Sequence, residues 1–242
     1  MMKRIYLDAG HGGTDSGAVK YVVERDVNIK VTKYMKAHLE ENYSCMIYMD
    51  ITDDSTSNIA KRANKWLAHL FVAVHFNAFK PEKGDGYEAL VHSVANTELG
   101  KCFEEHVKAA GQNSRGVKYR PDLNVLRLTK MPAILNEIAF VDNKKDIKDW
   151  DEDHELKKMG IALAEAAAEW LDLPAKESQY KVLQDMNFRK TASLNGEQLG
   201  VIKKGTILKG TVDKNGWLKT IHGGKTGFVR QEGQQVYCQK LS

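Results

Sequence analysis

Four polar residues in separate segments of the chain have the side-chain types needed for a hydrolytic site. His11 lies among three glycines in DAGHGGTDSGA, directly after the strand-like KRIYLD. His75 follows the apolar run LFVAV, and Glu137 interrupts the apolar run PAILNEIAFV. All three are predicted at the carboxyl ends of strands, which form the edge of an α/β sheet where ligands bind. We therefore expect these side chains to meet in space.

The fourth residue, Glu24, is predicted at the start of a helix, where the helix dipole favours a negative charge. The 12–23 loop can fold back and bring it beside His11. Two histidines and two glutamates suit a catalytic zinc, which takes three protein ligands and leaves one position for water. Zinc lowers the pKa of that water to about 7. The remaining carboxylate can then act as general base and as general acid towards a leaving amine.

Each residue taken singly has another interpretation. A histidine on an apolar strand, such as His75, is often a hydrogen-bonded core residue, whereas a carboxylate in an apolar strand, such as Glu137, is costly unless it is paired or functional. No role is predicted for the remaining histidines: His38, His69, His92, His106, His154 and His222. The three cysteines show no C-x-x-C spacing and are predicted to be buried thiols of a reducing compartment: Cys45, Cys102 and Cys238.

The elements that position the four residues follow from hydrophobic periodicity. Strands are predicted at 3–10, 45–50, 70–78, 86–93, 125–129 and 132–141, and helices at 24–42, 56–69, 97–110 and 153–171. Alternating strands and helices over about 170 residues are typical of an α/β domain with a parallel or mixed sheet flanked by helices.

The sequence changes character after the linker LPAKESQ, residues 173–179. Helical periodicity ends, and short strands alternate with turns such as KKGT, DKNGW and HGGK, which predicts a small all-β barrel. We expect two domains, 1–174 and 180–242. Residues 175–242 hold 12 basic and 5 acidic residues, against 24 and 27 in residues 1–174. This basic excess favours binding to a polyanionic surface. A requirement for solubility alone would explain the excess equally well.

Several classes of protein are disfavoured. No apolar run approaches the roughly 18 residues of a membrane span. Asp8 interrupts the amino-terminal segment before an apolar signal region can form, so no signal peptide is predicted. The basic excess is modest and has no aromatic and basic stripe, which argues against nucleic-acid binding.

Four motifs in order along residues 3–172 resemble the zinc-dependent N-acetylmuramoyl-L-alanine amidases. They are DAGHGGTDSGA followed by Glu24, RAN with LFVAVHFNA, GYEALV, and LRLTKMPAILNEIAFVDN. The resemblance implies a mixed sheet flanked by helices, His11, Glu24 and His75 as zinc ligands, and Glu137 as the catalytic glutamate. One departure is Phe76, where the family motif has a small residue, and it would narrow the cleft.

Residues 182–229 resemble a bacterial Src-homology-3-like module, a type that binds the cell wall in lysins. FRKTASLNGEQLGVIKKGT carries most of this resemblance. Trp217 and Phe228 are interpreted as barrel core rather than as a ligand platform, whereas the roles of Tyr180 and Tyr237 stay open.

Together the two resemblances imply a peptidoglycan hydrolase that cleaves the amide bond between N-acetylmuramic acid and L-alanine of the stem peptide with Zn²⁺. The expected partners are peptidoglycan and anionic wall polymers, without stable membrane insertion. A phage or prophage endolysin is favoured, made in the host cytoplasm and reaching the wall after the membrane is breached. A cellular autolysin or sporulation amidase, another zinc hydrolase such as a carboxypeptidase or deacetylase, and a non-catalytic wall-binding protein are the alternatives. The sequence specifies no oligomeric state.

Overall fold

The computed structural model describes residues 2–213, 215–231 and 236–241. The chain divides into two compact units, Met1–Leu173 and Pro174–Ser242. The first unit alternates strands with helices: β1 Lys3–Ala9, α1 Glu24–Asn42, β2 Cys45–Asp50, α2 Thr56–Lys65, β3 Leu70–Asn77, β4 Tyr87–Val91, α3 Thr97–Ala109, β5 Ser114–Tyr119, α4 Asn124–Arg127, β6 Ala133–Phe140, α5 Lys144–Ile147 and α6 Asp153–Leu171. Within the described residues, no helix is long and apolar enough to cross a membrane.

The six strands of the first unit form one mixed sheet in the order β2-β1-β3-β6-β4-β5. Strands β2, β1, β3 and β6 run parallel to one another, β4 is antiparallel to β6, and β5 is parallel to β4. The predicted mixed sheet flanked by helices is confirmed. Because β1, β3 and β6 are direct neighbours, their carboxyl ends lie side by side.

Successive side chains along each strand point to opposite faces of this sheet, and both faces carry buried clusters. One face packs Leu7 and Val72 against Val31 of α1, Phe103 of α3 and Leu163 of α6. The other face carries a smaller cluster, in which Tyr6, Phe71 and Leu135 pack against Ile59 of α2 and Val125 of α4. Since α2 and α4 are short, they leave part of this second face uncovered near the carboxyl ends of the strands.

Two elements differ from the sequence prediction. Residues 125–129 were expected to form a strand, but Asn124–Arg127 is the helical turn α4. The adjacent Val125 and Leu126 are both buried in the smaller cluster, so the apolar run reflects burial rather than strand alternation. Strand β5 was not predicted, because its sequence SRGVKY lies at the sheet edge and is largely exposed or half-buried.

The second unit is all-β, as its turn-rich sequence indicates. Its strands are β7 Ser178–Val182, β8 Met186–Arg189, β9 Gln198–Ile202, β10 Ile207–Val212, β11 Trp217–His222, β12 Lys225–Arg230 and β13 Cys238–Lys240. They pair antiparallel in the order β13-β7-β10-β11-β12-β8-β9. Positions 214, 232–235 and 242 of the predicted domain 180–242 lie outside the described residues.

The aromatic residues of the second unit take different positions. Tyr180 is buried in the core cluster, Tyr237 packs against its edge, and Phe228 is half-buried. Trp217 is buried, and the guanidinium of Arg230 lies 5.4 Å from its ring centroid.

The cysteines differ in part from the expectation of three buried thiols. Cys238 is buried in the second unit, but Cys45 and Cys102 are partly exposed.

Candidate active site

The three parallel strands β1, β3 and β6 bring the predicted residues to one edge of the sheet. Gly10 continues β1 by donating its N–H to the carbonyl of Val74 over 2.9 Å, which places His11 beside His75. Glu137 is the direct neighbour of His75 in the parallel register of β3 and β6. Glu137 was expected at the end of its strand, but β6 continues to Phe140. Pairing of Phe140 with Asn77 of β3 extends the strand beyond the site, whereas pairing with β4 ends at Glu137.

The loop between β1 and α1 folds back as expected and positions Glu24. The N–H of Glu24 donates to the carbonyl of Ala18 over 3.0 Å, and the N–H of Arg25 donates to that of Ser16 over 3.1 Å. These loop carbonyls satisfy N–H groups of the first turn of α1, which a helix leaves without intrahelical partners. Glu24 is therefore fixed as the first residue of the helix.

Two positions near the site are glycines, and the absence of a side chain there leaves room for His11, Glu24 and His75. A Cβ at Gly10 would lie 2.1 Å from the His75 ring, and one at Gly17 would lie 2.6 Å from both Glu24 Oε2 and His11 Cδ2. Gly17 also has a φ of +62°, which strongly favours glycine. His11 itself has a φ of 64°, an uncommon conformation that turns its ring towards Glu24.

His11, Glu24 and His75 converge on one carboxylate oxygen. Glu24 Oε1 lies 3.2 Å from His11 Nε2 and 3.0 Å from His75 Nδ1. One nitrogen or oxygen from each of the three residues lies within 4.8 Å of the others. With zinc–ligand bonds of about 2.0–2.1 Å, two ligands of a tetrahedral ion are about 3.3 Å apart. The donor atoms and their spacing therefore fit a zinc ion with three protein ligands.

Other groups hold these ligands in place. Asp15 Oδ2 lies 2.7 Å from His11 Nδ1, the nitrogen that faces away from Glu24. The N–H of Ala18 donates to Glu24 Oε2 over 2.9 Å. A carboxylate behind a histidine commonly orients a metal ligand. Sequence reasoning missed Asp15, although its place four residues after His11 in DAGHGGTDSGA was the available signal.

The charges of the three residues are coupled. Burial opposes ionisation of Glu24, but hydrogen bonds with His11 and His75 outweigh it and hold the pKa of this carboxyl well below its usual range. The hydrogen bond to Glu24 raises the pKa of His11 to about 9. Burial opposes protonation of His75, yet its hydrogen bond to Glu24 raises its pKa. The pocket thus favours positive charge beside Glu24, and a divalent cation would release the imidazole protons.

Glu137 lies at the same edge but outside this convergence. Burial raises the pKa of its carboxyl to about 7. Its Oε2 atom is buried, and no described residue forms a hydrogen bond with it. An unpaired buried carboxylate oxygen is costly unless it serves a reaction. A carboxyl group with a pKa near neutrality is suited to accept and return a proton.

A cleft of about 330 Å³ connects the candidate residues with solvent. His11, His75 and Glu137 line it, together with Ile59 of α2 and Val125 of α4, so it opens on the face that the two short helices leave uncovered. Further acidic residues in its wall are Asp8, Asp15, Asp53 and Asp54.

Arg120 also lines the cleft and was missed by sequence reasoning. It donates two hydrogen bonds to Asp122, of 2.9 and 2.8 Å. No motif in the sequence marked this residue, because its place in the cleft depends on the unpredicted strand β5.

Comparisons with known proteins identify relatives of this chain. A family model described as N-acetylmuramoyl-L-alanine amidase matches residues 5–169. The endolysin of Bacillus phage SPP1 is 35% identical over 187 residues, which cover 73% of this chain and 69% of the endolysin. The amidase CwlM of Bacillus licheniformis is 32% identical over 154 residues, which cover 60% of this chain and 59% of CwlM.

A solved structure extends the likeness to three dimensions. The catalytic domain of the amidase CwlV from Bacillus (Paenibacillus) polymyxa superposes with a TM-score of 0.67 at 26% identity, covering 72% of this chain and 100% of that domain. The family match covers residues 5–169 of the α/β unit Met1–Leu173, which carries the candidate site. This chain belongs to the N-acetylmuramoyl-L-alanine amidase family, the enzymes that hydrolyse the amide bond between muramic acid and L-alanine in peptidoglycan.

Proposed function

We propose that this amidase is zinc-dependent, with His11, Glu24 and His75 as the metal ligands and Glu137 as the proton-transfer residue. The observation that carries the proposal is the convergence of His11 Nε2 and His75 Nδ1 on Glu24 Oε1, at 3.2 and 3.0 Å. Glu137 adjoins this group in strand register, and its Oε2 atom has no hydrogen bond to a described residue. Two imidazoles and one carboxylate are a known ligand set of catalytic zinc.

When bound, zinc would supply Lewis-acid chemistry by polarising the lactyl carbonyl and lowering the pKa of water. Glu137 takes a proton from the attacking water and passes it to the nitrogen of L-alanine as the C–N bond breaks. The raised pKa of its carboxyl, about 7, suits both directions of transfer near neutral pH. Asp15 fixes the ring of His11 throughout, since it lies 2.7 Å from Nδ1.

We propose further that the second unit is the Src-homology-3-like module that attaches the enzyme to the wall. Its all-β architecture and its basic composition support this assignment. Its excess of basic residues fits anionic wall polymers as well as peptidoglycan. A tether of this kind raises the local concentration of cleavable bonds around the catalytic unit.

The biological role that fits best is that of a phage or prophage endolysin, which acts on the wall once the membrane is breached. The alignment that covers most of this chain, among the relatives compared above, is with a phage endolysin. The likeness to CwlM, which is named as a bacterial amidase, supports a cellular autolysin or sporulation amidase as the alternative. The chemistry is the same in both roles.

Product analysis on purified peptidoglycan tests the activity. We expect new amino-terminal L-alanine to appear, a chelator to abolish the reaction, and zinc to restore it. Released acetate would instead indicate a deacetylase, and released D-alanine without new L-alanine termini would indicate a carboxypeptidase. Activity that persists after the metal has been removed, as verified by elemental analysis, would contradict the role of zinc.

A further inference from the structure

A second group of metal-ligating side chains lies away from the candidate active site. Cys102 and His106 are on α3, and Glu169 is in the last turn of α6. One ligand atom from each of the three lies within 4.8 Å of the others. Helices α3 and α6 pack through Phe103 and Leu163 on the sheet face that carries Leu7 and Val72, whereas the candidate catalytic cleft opens on the opposite face. The two groups are therefore separate sites.

Helix geometry and packing produce this arrangement. Residues four apart on a helix lie on the same face, so Cys102 and His106 both point from α3 towards α6. His106 Nε2 lies 3.4 Å from Glu169 Oε2 on α6. Cys102 Sγ lies 3.6 Å from the carbonyl oxygen of Ala166, which is also on α6. The sulfur, nitrogen and oxygen donors thus face one narrow space between two helices.

The donor set selects the kind of ion. Thiolate and imidazole favour zinc over the hard cations calcium and magnesium, which prefer oxygen ligands. A zinc ion with one sulfur and two lighter ligands needs ligand–ligand separations of about 3.3–3.8 Å. The observed separation of His106 and Glu169 already lies in this range. Cys102 and His106 are only partly buried, and Glu169 is exposed, so their side chains can adjust to an ion.

Within the part of the chain that the structure describes, the surroundings of the group add negative charge but no further ligand. Glu165, one turn before Glu169 on α6, interacts with His38 Nε2 at 2.5 Å and accepts a hydrogen bond from Tyr43 over 2.7 Å. Its two carboxylate oxygens therefore already have partners. The negative charge of Glu165 still favours a cation near His106. Three protein ligands would leave the fourth position of the ion to water.

We propose that Cys102, His106 and Glu169 bind a second zinc ion, which cross-links α3 to α6. The ion would tie the last turn of α6 to the body of the catalytic unit. The catalytic reaction does not depend on this site, because the sheet separates it from the cleft.

Cobalt substitution tests the proposal on the full chain, because of the two proposed metal sites this one contains sulfur and the other does not. A thiolate ligand gives cobalt an intense near-ultraviolet charge-transfer band, which His11, Glu24 and His75 cannot produce. After chelation and dialysis, we expect the wild-type chain to bind two equivalents of Co²⁺ and to show this band. Cys102→Ser should lose the band and one equivalent but keep wall hydrolysis. His11→Ala should lose the other equivalent and keep the band.

Cys45→Ser is the matched control, since Cys45 is the other partly exposed cysteine, and it should leave the band unchanged. Alkylation of the wild-type chain gives a second measurement that needs no variant. Zinc should slow iodoacetamide modification of Cys102, but not of Cys45, when the modified peptides are quantified by mass spectrometry. A band that is absent in the wild type, or that persists in Cys102→Ser, would overturn the proposal, as would equal protection of both thiols.

Discussion

At the residue scale, Glu137 shows how burial changes an ordinary carboxyl group so that it suits the proton transfer proposed for it. The side chain sits within an apolar strand, and burial raises its pKa to about 7. Glu88, its antiparallel neighbour on β4, differs because its carboxylate forms an ion pair with Arg115 Nε at 2.6 Å. Two glutamates side by side in one sheet thus have different environments, and only Glu137 lines the cleft.

The first prediction concerns this pair. Glu137→Gln should lower hydrolysis of peptidoglycan by about 10²-fold or more, because a general acid–base group is removed. Its zinc content and wall binding should be unchanged, since Glu137 is not a proposed ligand. Glu88→Gln is the matched control and should keep most of the activity. Comparable losses in both variants, or turnover near the wild-type rate in Glu137→Gln, would refute the proposed role.

The second prediction concerns the orientation of His11. In the wild type, Asp15 Oδ2 lies 2.7 Å from His11 Nδ1, and Asp15→Asn weakens this contact. Zinc affinity should therefore fall by about 10–100-fold, the usual loss when the carboxylate partner of a metal-bound histidine is removed. Competition with a chromophoric chelator measures this affinity. Asp53→Asn serves as control, because Asp53 lines the same cleft but accepts hydrogen bonds from Thr14 rather than from a ligand. Equal zinc affinity in Asp15→Asn and the wild type would count against an orienting role.

At the scale of elements, an ion pair joins β2 to α2 beside the cleft. Arg62 on α2 donates its Nε to Asp50 Oδ2 over 2.9 Å, and the hydroxyls of Tyr6 and Thr52 donate to the same carboxylate. Burial opposes ionisation of Asp50, but these hydrogen bonds outweigh it and hold the pKa of this carboxyl below its usual value. The ionised carboxylate therefore stabilises the packing of α2 on the sheet.

The third prediction is the pH dependence of this contribution. Asp50→Asn should lower the free energy of unfolding at neutral pH by about 3 kcal/mol, because the Asp50 side chain is fully buried and its partners lose a charged acceptor. Since the pKa of Asp50 is lower in the folded state, the stabilisation is fully present above about pH 4, the unfolded value, and is lost as pH falls through the folded value. Urea unfolding should show the difference from wild type shrinking in acid.

Asp122→Asn is the control for the pH experiment. Asp122 pairs with Arg120 in an exposed position, so its loss should change the free energy of unfolding little at any pH. A difference between Asp50→Asn and the wild type that stays constant down to acid pH would contradict the assignment.

At the scale of the whole molecule, the chain forms two compact units, for which we propose different roles: chemistry for the first and wall attachment for the second. The candidate site lies wholly within Met1–Leu173. The fourth prediction is that a 1–173 fragment hydrolyses soluble muramyl peptides at the rate of the full chain, while its affinity for intact walls falls by about 10²-fold or more. Sedimentation with purified walls measures binding, and circular dichroism checks that the fragment folds. Unchanged wall binding by the fragment would show that the second unit is not the anchor.

Sequence periodicity predicted the long elements well and the short or edge elements poorly. Helices α1 and α6 begin and end where predicted, at 24–42 and 153–171. Their apolar stripes span several turns, so the period is well defined. The prediction of a strand at the helical turn α4 was wrong, because a short apolar run carries too little periodic signal. Strand β5 was missed because an exposed edge strand has the same weakness.

The sequence by itself determined the alternation of strands and helices, the all-β character of the second unit, and the types and order of the four candidate site residues. Only the tertiary structure decided that β1, β3 and β6 are adjacent, that two histidines share one oxygen of Glu24, and that Asp15 stands behind His11. The same packing of α3 on α6 brought Cys102, His106 and Glu169 together. The physical reason is that periodicity reports which face of an element is buried, whereas convergence depends on strand order, register and helix packing between residues far apart in the chain.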